Sequence, residues 1–334
     1  MKIKRSVYLG YYLKQLDREK FSSLMKYSQK VTGYKKAWIL SDILKSIFKY
    51  NISILEYFQF HFYNLTQKER ETWAGTGHMY EYQLIMNPIK SRKILDDKTL
   101  FYKNYNEFLV HKVADIDDLA RNPELTDSLL SNSSGKLVFK ASSGKCGGQV
   151  EIRNSKEFDC QNIIKFMKSH NYGLVEEFIQ QHSAINKLSP SAVNTVRIIT
   201  QLNKNNEVNI LGCRLRISVN SSVDNMAAGN VAAPIDEYTG KVNGPAVYSD
   251  ITKREQYFHP VTKVKIIGFQ IPYWEEIIQM VKKAALLHPQ NKSIGWDVVV
   301  TQKGPGLIEG NHDWCKLLWQ LPVKKGLKSK LCKI

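Results

Sequence analysis

Acid, proline and patterned cysteine are the scarce things in this chain of 334 residues. Five cysteines (Cys146, Cys160, Cys213, Cys315, Cys332) are scattered with no CxxC pair. That excludes a disulfide framework and a zinc site, and points to reduced thiols in a cytoplasmic setting. No run of about 18 apolar residues occurs, so no transmembrane helix is expected. The opening Met-Lys-Ile-Lys-Arg is basic but no apolar h-region follows, so no signal peptide is expected. His259, His288 and His312 lack ligand spacing, and no Ser-His-Asp or Cys-His constellation is visible.

Acid is outnumbered throughout: 48 Lys+Arg face 31 Asp+Glu, a formal net charge of +17. Nucleic acid, an anionic membrane surface or anionic small substrates would each suit that charge. No zinc-finger, RNP-type or helix-turn-helix signature accompanies it, so a nucleic-acid partner is not expected. The excess is concentrated at the front, where residues 1–60 hold twelve Lys/Arg against four Asp/Glu. This stretch has no proline and only Gly10 and Gly33, so helices are expected. Ile43, Leu44, Ile47 and Phe48 have the spacing of one helix face, while the aromatic run Ile54–Asn64 fits helix or strand. A solvated helical layer accounts for the region, as does docking on an anionic membrane face.

The 43% hydrophobic content suffices for two domains or one large two-lobed unit. Asp96-Asp97-Lys98 opens a capped helix, and Leu109–Val113 and Gly135–Lys140 read as strands. Lys140 runs into Ser142-Ser143-Gly144-Lys145-Cys146-Gly147-Gly148-Gln149, a loop rich in backbone N–H groups that suits phosphate oxygens. A plain hairpin connection suits it equally. Tyr172–Ile179 is an apolar strand carrying Glu176 and Glu177. Val193–Thr200 is another, with Arg197 inside it, and a buried arginine needs an anionic partner. Arg214 and Arg216 share one face of a later strand, as an anion clamp or as solvent-facing residues. Residues 222–236, including Asp224 and Asn225, read as a loop. Tyr273–Leu287 reads as a core-packing helix between Pro272 and Pro289.

Two apolar runs, Trp296–Thr301 and Leu307–Asn311, flank a Gly/Pro turn and predict a hairpin. A turn near Lys303–Gly304 would set Asp297 opposite Glu309, with Asn311 on the same face. Two carboxylates and an amide oxygen suit Mg²⁺. Polar strand ends facing solvent account for the spacing equally well.

Taken in order, Val175-Glu-Glu-Phe-Ile, Val193-Asn-Thr-Val-Arg-Ile, Val223-Asp-Asn, Ile294-Gly-Trp-Asp-Val and Leu307-Ile-Glu-Gly-Asn resemble the ATP-grasp superfamily. More narrowly the order resembles its sugar-transfer-associated proteins, related to alpha-L-glutamate ligases. The resemblance runs from about Asp96 to Leu327. It implies an α+β ATP-grasp fold, two lobes with mostly antiparallel sheets clamping ATP, behind a mainly helical N-terminal region. The expected division is 1–95 for that region, 96–180 for the N-lobe and 181–334 for the C-lobe.

By the same resemblance, ATP and Mg²⁺ are the cofactors. Lys98 and Lys140 would contact ATP phosphates under the Ser142, Ser143, Gly144, Gly147, Gly148 loop. Backbone near Glu177 and Ile179 would meet adenine, with Glu176 or Glu177 facing the adenine or ribose. Arg197 would act with Lys140 at the transferred phosphate, and Asp297, Glu309 and Asn311 would hold the metal. Arg214, Arg216, Asp224 and Asn225 would line the acceptor pocket. The implied activity joins a carboxylate to an amine through an acyl phosphate, on small substrates of surface polysaccharide assembly that are free or linked to sugar or lipid. A sugar phosphotransferase, and a basic binding protein of a membrane or glycan assembly with a vestigial nucleotide site, are the other functions open to this pattern. The expected location is cytoplasmic, with the basic front end able to reach the inner face of the membrane.

Overall fold

The computed structural model describes residues 5–142 and 150–331. Among the described residues ten strands form two antiparallel sheets. The smaller contains β1 (Val113–Asp115), β2 (Lys136–Lys140), β3 (Val150–Asn154) and β4 (Leu174–Glu177), in the order β1-β4-β2-β3. The larger contains β5 (Val196–Leu202), β6 (Val208–Ile217), β7 (Val231–Ile235), β8 (Val247–Tyr248), β9 (Ser293–Thr301) and β10 (Gly304–Asn311). Its order is β10-β9-β5-β6-β7-β8.

Each sheet turns one face to packed helices and carries charged side chains on the other. In the small sheet, Leu137, Phe139, Ala114 and Val175 turn to the helices Ile116–Arg121 and Asn162–Ser169 and are buried with Leu119, Ile163 and Met167. In the large sheet, Val196, Ile198, Leu215, Trp296 and Val298 pack against Ile277, Val281 and Ala284 of the helix Trp274–Leu287. Alternation therefore sends Arg197, Arg214, Arg216 and Asp297 to the opposite face. There Ile199 and Leu211 meet Trp314 and Trp319.

Residues 5–96 are helical, as their composition implies. The aromatic run becomes a short helix, Ile54–Gln59, closed by a capping box between Ser53 and Glu56, and then a 3-10 turn, Phe62–Asn64. Glu56 is buried and paired with Lys316 at 3.0 Å. Further on, Ala74, Met79, Tyr82 and Met86 share a core with Ile199, Trp314 and Trp319 of the large sheet's charged side. Gln320 ties the two stretches by donating to the Ala74 carbonyl and accepting from the Ala74 N–H. Among the described residues no helix is long and apolar enough to cross a membrane.

Two elements depart from the sequence reading. Leu109–Val113 contributes only its last residue to β1. Residues 222–236 are not all loop, because Val231–Ile235 is β7 despite Pro234. β8 pairs only with Val231 and Ala232, so Pro234, with no N–H to donate, sits where β8 asks for none.

Candidate functional site

The hairpin reaches the expected pairing by an unexpected route. Gly304 pairs with Thr301, so the turn is Gln302–Lys303, and Gly304 carries a φ of 121°. Continued regularly, that register would set Asp297 against Ile308. A bulge between Leu307 and Glu309 adds one residue to β10, and Glu309 pairs with Asp297. A one-residue slip exchanges the faces of a strand. The bulge is thus what puts both carboxyls on the charged face.

Asp297 is enclosed by arginines. Arg197 binds it through Nε at 2.5 Å and a terminal nitrogen at 2.8 Å. Arg216 adds a contact of 2.7 Å and extends a second nitrogen to Asp224 at 2.6 Å. Asp224 also accepts from the Thr195 N–H at 2.9 Å and hydroxyl at 2.6 Å. Burial works to raise the Asp297 carboxyl, but the two guanidinium groups outweigh it and hold the carboxyl well below the usual range. Glu309 goes the other way: burial and then the neighbouring Asp297 charge push it up. Asn311 turns its amide nitrogen to Glu309 at 3.2 Å and to the Gly295 carbonyl at 3.3 Å.

The second half of the site lies on the open face of the small sheet. Lys140, at the end of β2, pairs with buried Glu176 of β4 at 2.6 Å. His111 Nε2 lies 3.3 Å from the same carboxylate. Burial opposes the charge on Glu176, yet Lys140 and His111 bring its pKa down to about 2. Beside them Val138 is half-buried, and Val150 and Ile152 on the edge strand are 41% and 51% exposed.

Lys98 joins the halves. It begins the helix Lys98–Tyr105, capped by the Asp97 carboxylate, and its N–H donates to the Ser142 carbonyl at 2.9 Å. Burial lowers its pKa, Glu309 raises it, Lys140 lowers it and Glu176 raises it. One ammonium thus feels charges from both sheets. Contacts and charge interactions link Lys98, Lys140, Glu176, Arg197, Asp297, Glu309 and Asn311 into one cluster.

The remaining residues are placed differently. Arg214 starts from the same face as Arg216, but its guanidinium donates to the Trp319 carbonyl, at 3.0 Å from Nε, and to the Cys213 carbonyl at 2.7 Å. Trp319 lies in the last turn of the helix Lys316–Gln320, so Arg214 satisfies a helix C-terminus, not a substrate. Burial lowers its pKa to about 10. Replacing Arg214 with Ala should cost about 2 kcal/mol in urea unfolding by stranding that carbonyl. Turnover per folded molecule should stay unchanged; a raised KM would restore Arg214 to an acceptor pocket.

Asn225 accepts from the Ala227 N–H and so caps a 3-10 turn. The Glu177 N–H is spent on the Lys112 carbonyl, and Ile179 lies two residues beyond the end of β4. Ser143, Gly144, Gly147 and Gly148 lie outside the described residues.

Sequence reading missed His111, Thr195 and the apolar trio Val138, Val150 and Ile152. Alternation along β2 and β3 held a signal for the trio, since it sets Val138 and Ile152 on the face of Lys140. It also missed Gly295. A Cβ there would lie 2.6 Å from Trp314 Cβ and 3.2 Å from Arg197 Cδ. Gly295→Ala should therefore lower stability by about 1–3 kcal/mol and displace Arg197 from Asp297, read as a fall in both melting temperature and ATP turnover.

A family model described as sugar-transfer associated ATP-grasp matches residues 78–334. The chain belongs to that family. The sugar-transfer-associated match begins within the helix Thr76–Met86, whose residues share the large sheet's core. No curated protein matches the chain. Solved structures similar to it include the ADP complex of purK, an N5-carboxyaminoimidazole ribonucleotide synthetase. That likeness has 11% identity and a TM-score of 0.38, over 65% of this chain and 45% of that one. D-alanyl-alanine synthetase A from Vibrio cholerae O1 biovar eltor matches at 12% identity and TM-score 0.40, over 70% and 61%. The ATP-grasp ligase PsnB with minimal precursor matches at 10% and 0.41, over 79% and 70%. The chain thus spans less than two thirds of the length of the first two.

Proposed function

We propose that this ATP-grasp protein is an ATP- and Mg²⁺-dependent carboxylate–amine ligase. The observation that carries the reading is that Lys98 feels the charges of both Lys140–Glu176 and the bulge-paired Glu309, so residues of both sheets join in one charged cluster. Lys98 and Lys140 would hold the phosphates, with Glu176 and His111 fixing the Lys140 side chain. Val138, Val150 and Ile152 give the adenine ring an apolar surface, and Ile179 gives it backbone.

The donor set fits Mg²⁺. It is all oxygen, and a dication held by Asp297 and Glu309 would offset the burial and the Asp297 charge that push the Glu309 carboxyl up. Mg²⁺, when bound, would neutralise phosphate charge. Arg197 would meet the transferred phosphoryl group. Arg216, spanning Asp224 and Asp297, would position the acid. In this reading a substrate carboxylate oxygen displaces ADP from the γ-phosphorus, giving an acyl phosphate. An amine then attacks the acyl carbon and phosphate departs. Positioning and charge neutralisation suffice for such transfers, and no protein nucleophile is needed.

The family's sugar-transfer association and the basic surface support anionic substrates such as uronic acids, free or carrier-linked, in surface polysaccharide assembly. Purified protein should release ADP and phosphate only when a sugar acid and an amine are both present, with a product mass equal to their condensation. A phosphorylated sugar without free phosphate would show a kinase instead. Absence of ATP turnover with every acid and amine offered would overturn the ligase reading.

A further inference from the structure

Outside the charged cluster, the helix Lys36–Tyr50 carries two apolar stripes. Ile39, Ile43, Ile47 and Tyr50 pack into the N-terminal core. Leu40, Leu44 and Phe48, spaced four apart, form a second stripe about a third of a turn away and are 38–49% exposed. A helix that is apolar over so much of its circumference ordinarily has both sides covered. At its start, the exposed rings of Tyr34 and Trp38 lie in contact, 4.2 Å between centroids. Aromatic rings with polar edges favour the level of lipid headgroups.

The charge around the stripe selects the occupant. Lys35, Lys36, Lys45 and Lys49 surround it, all exposed. The helix has one acid, Asp42, and both of its oxygens are bound by Arg70 at 2.8 Å. The rim is therefore positive with no exposed acid on the helix to answer it. A second copy docking through the same patch would bring these lysines against themselves. An apolar layer beneath an anionic surface satisfies stripe, rings and lysines together.

We infer that the helix Lys36–Tyr50 docks the protein on an anionic lipid bilayer, Leu40, Leu44 and Phe48 entering the headgroup boundary and the lysines meeting the phosphates. The inference stands apart from the ligase reading, since none of these residues belongs to the charged cluster.

Full-length protein sedimented with vesicles tests it. Binding to phosphatidylcholine mixed with phosphatidylglycerol is expected, with little binding to phosphatidylcholine alone and weakening as salt rises. The double variant Leu44→Glu, Phe48→Glu should lose about ten-fold or more of vesicle affinity. Lys45→Glu, Lys49→Glu should lose a similar factor on anionic vesicles. All four side chains are exposed, so melting temperatures near the parent value report intact folding. Three results would overturn the inference: no binding to anionic vesicles, undiminished binding by the folded Leu44→Glu, Phe48→Glu variant, or a parent dimer in sedimentation equilibrium that this variant dissolves, which would assign the stripe to self-association.

Discussion

Replacing Glu309 with Gln is expected to abolish ATP turnover, by about a thousand-fold or more, while leaving the fold intact. The reason lies in the state of the acid. Burial and the adjacent Asp297 charge hold Glu309 toward its protonated form. An amide has nearly the same shape as the carboxyl and carries no charge to oppose burial or Asp297, the two causes that push Glu309 up. It cannot become an anion, so it cannot complete a metal site. Melting temperature and turnover should therefore separate: the first near the parent value, the second lost. Retained turnover would sink the metal assignment. A large drop in melting temperature would show that Glu309 serves the fold.

The second large effect is one of binding order. Two guanidinium groups, Arg197 and Arg216, are already paired with two acids, Asp297 and Asp224. Counted with an ionised Glu309, a dication would leave one positive charge in excess, in a place where Arg197 is buried and Arg216 half-buried. Asp297 would also have to release part of its arginine contacts to bind metal. A triphosphate answers both demands, since it offsets the charge and offers the arginines another anion. Magnesium alone is therefore expected to leave the melting temperature unchanged. Mg·ATP at a hundred times its dissociation constant should add about 2.7 kcal/mol, several degrees. An equal rise with magnesium chloride alone would show that the arginines do not close the acid cluster. Calorimetric titration with magnesium, with and without nucleotide, reads the same point independently of turnover.

Much of this site was legible from local pattern. The Lys140 strand, the Asp97 cap before Lys98 and the arginine-bearing β5 follow from alternation and capping chemistry, which act over a few residues. The hairpin pairing of Asp297 with Glu309 was legible as well, although the turn lies slightly earlier and a bulge restores the register. Nothing local distinguishes a bulged β10 from a regular one, because the bulge is stabilised by what its side chains meet across the sheet.

Direction was the harder quantity. Alternation puts Arg214 and Arg216 on one face, and the structure agrees. What each guanidinium reaches depends on the Trp319 carbonyl, 105 positions away, and on Asp297, 81 positions away. The basic front end shows the same limit. Its helices and lysines are written in composition, but the exposure of Leu40, Leu44 and Phe48 emerges only once Ile39, Ile43 and Ile47 have chosen the core.

By itself, then, the sequence determined the family, the two-sheet plan, the helical front and the residues that carry charge in the cluster, because these rest on short-range periodicity and ordered motifs. Tertiary structure alone decided which charges neutralise each other. It tied Arg197 and Arg216 to Asp297, turned Arg214 to a helix end, and pushed the Glu309 carboxyl up by burial beside Asp297. Such pairings depend on burial and on distances between remote strands, and a linear pattern encodes neither.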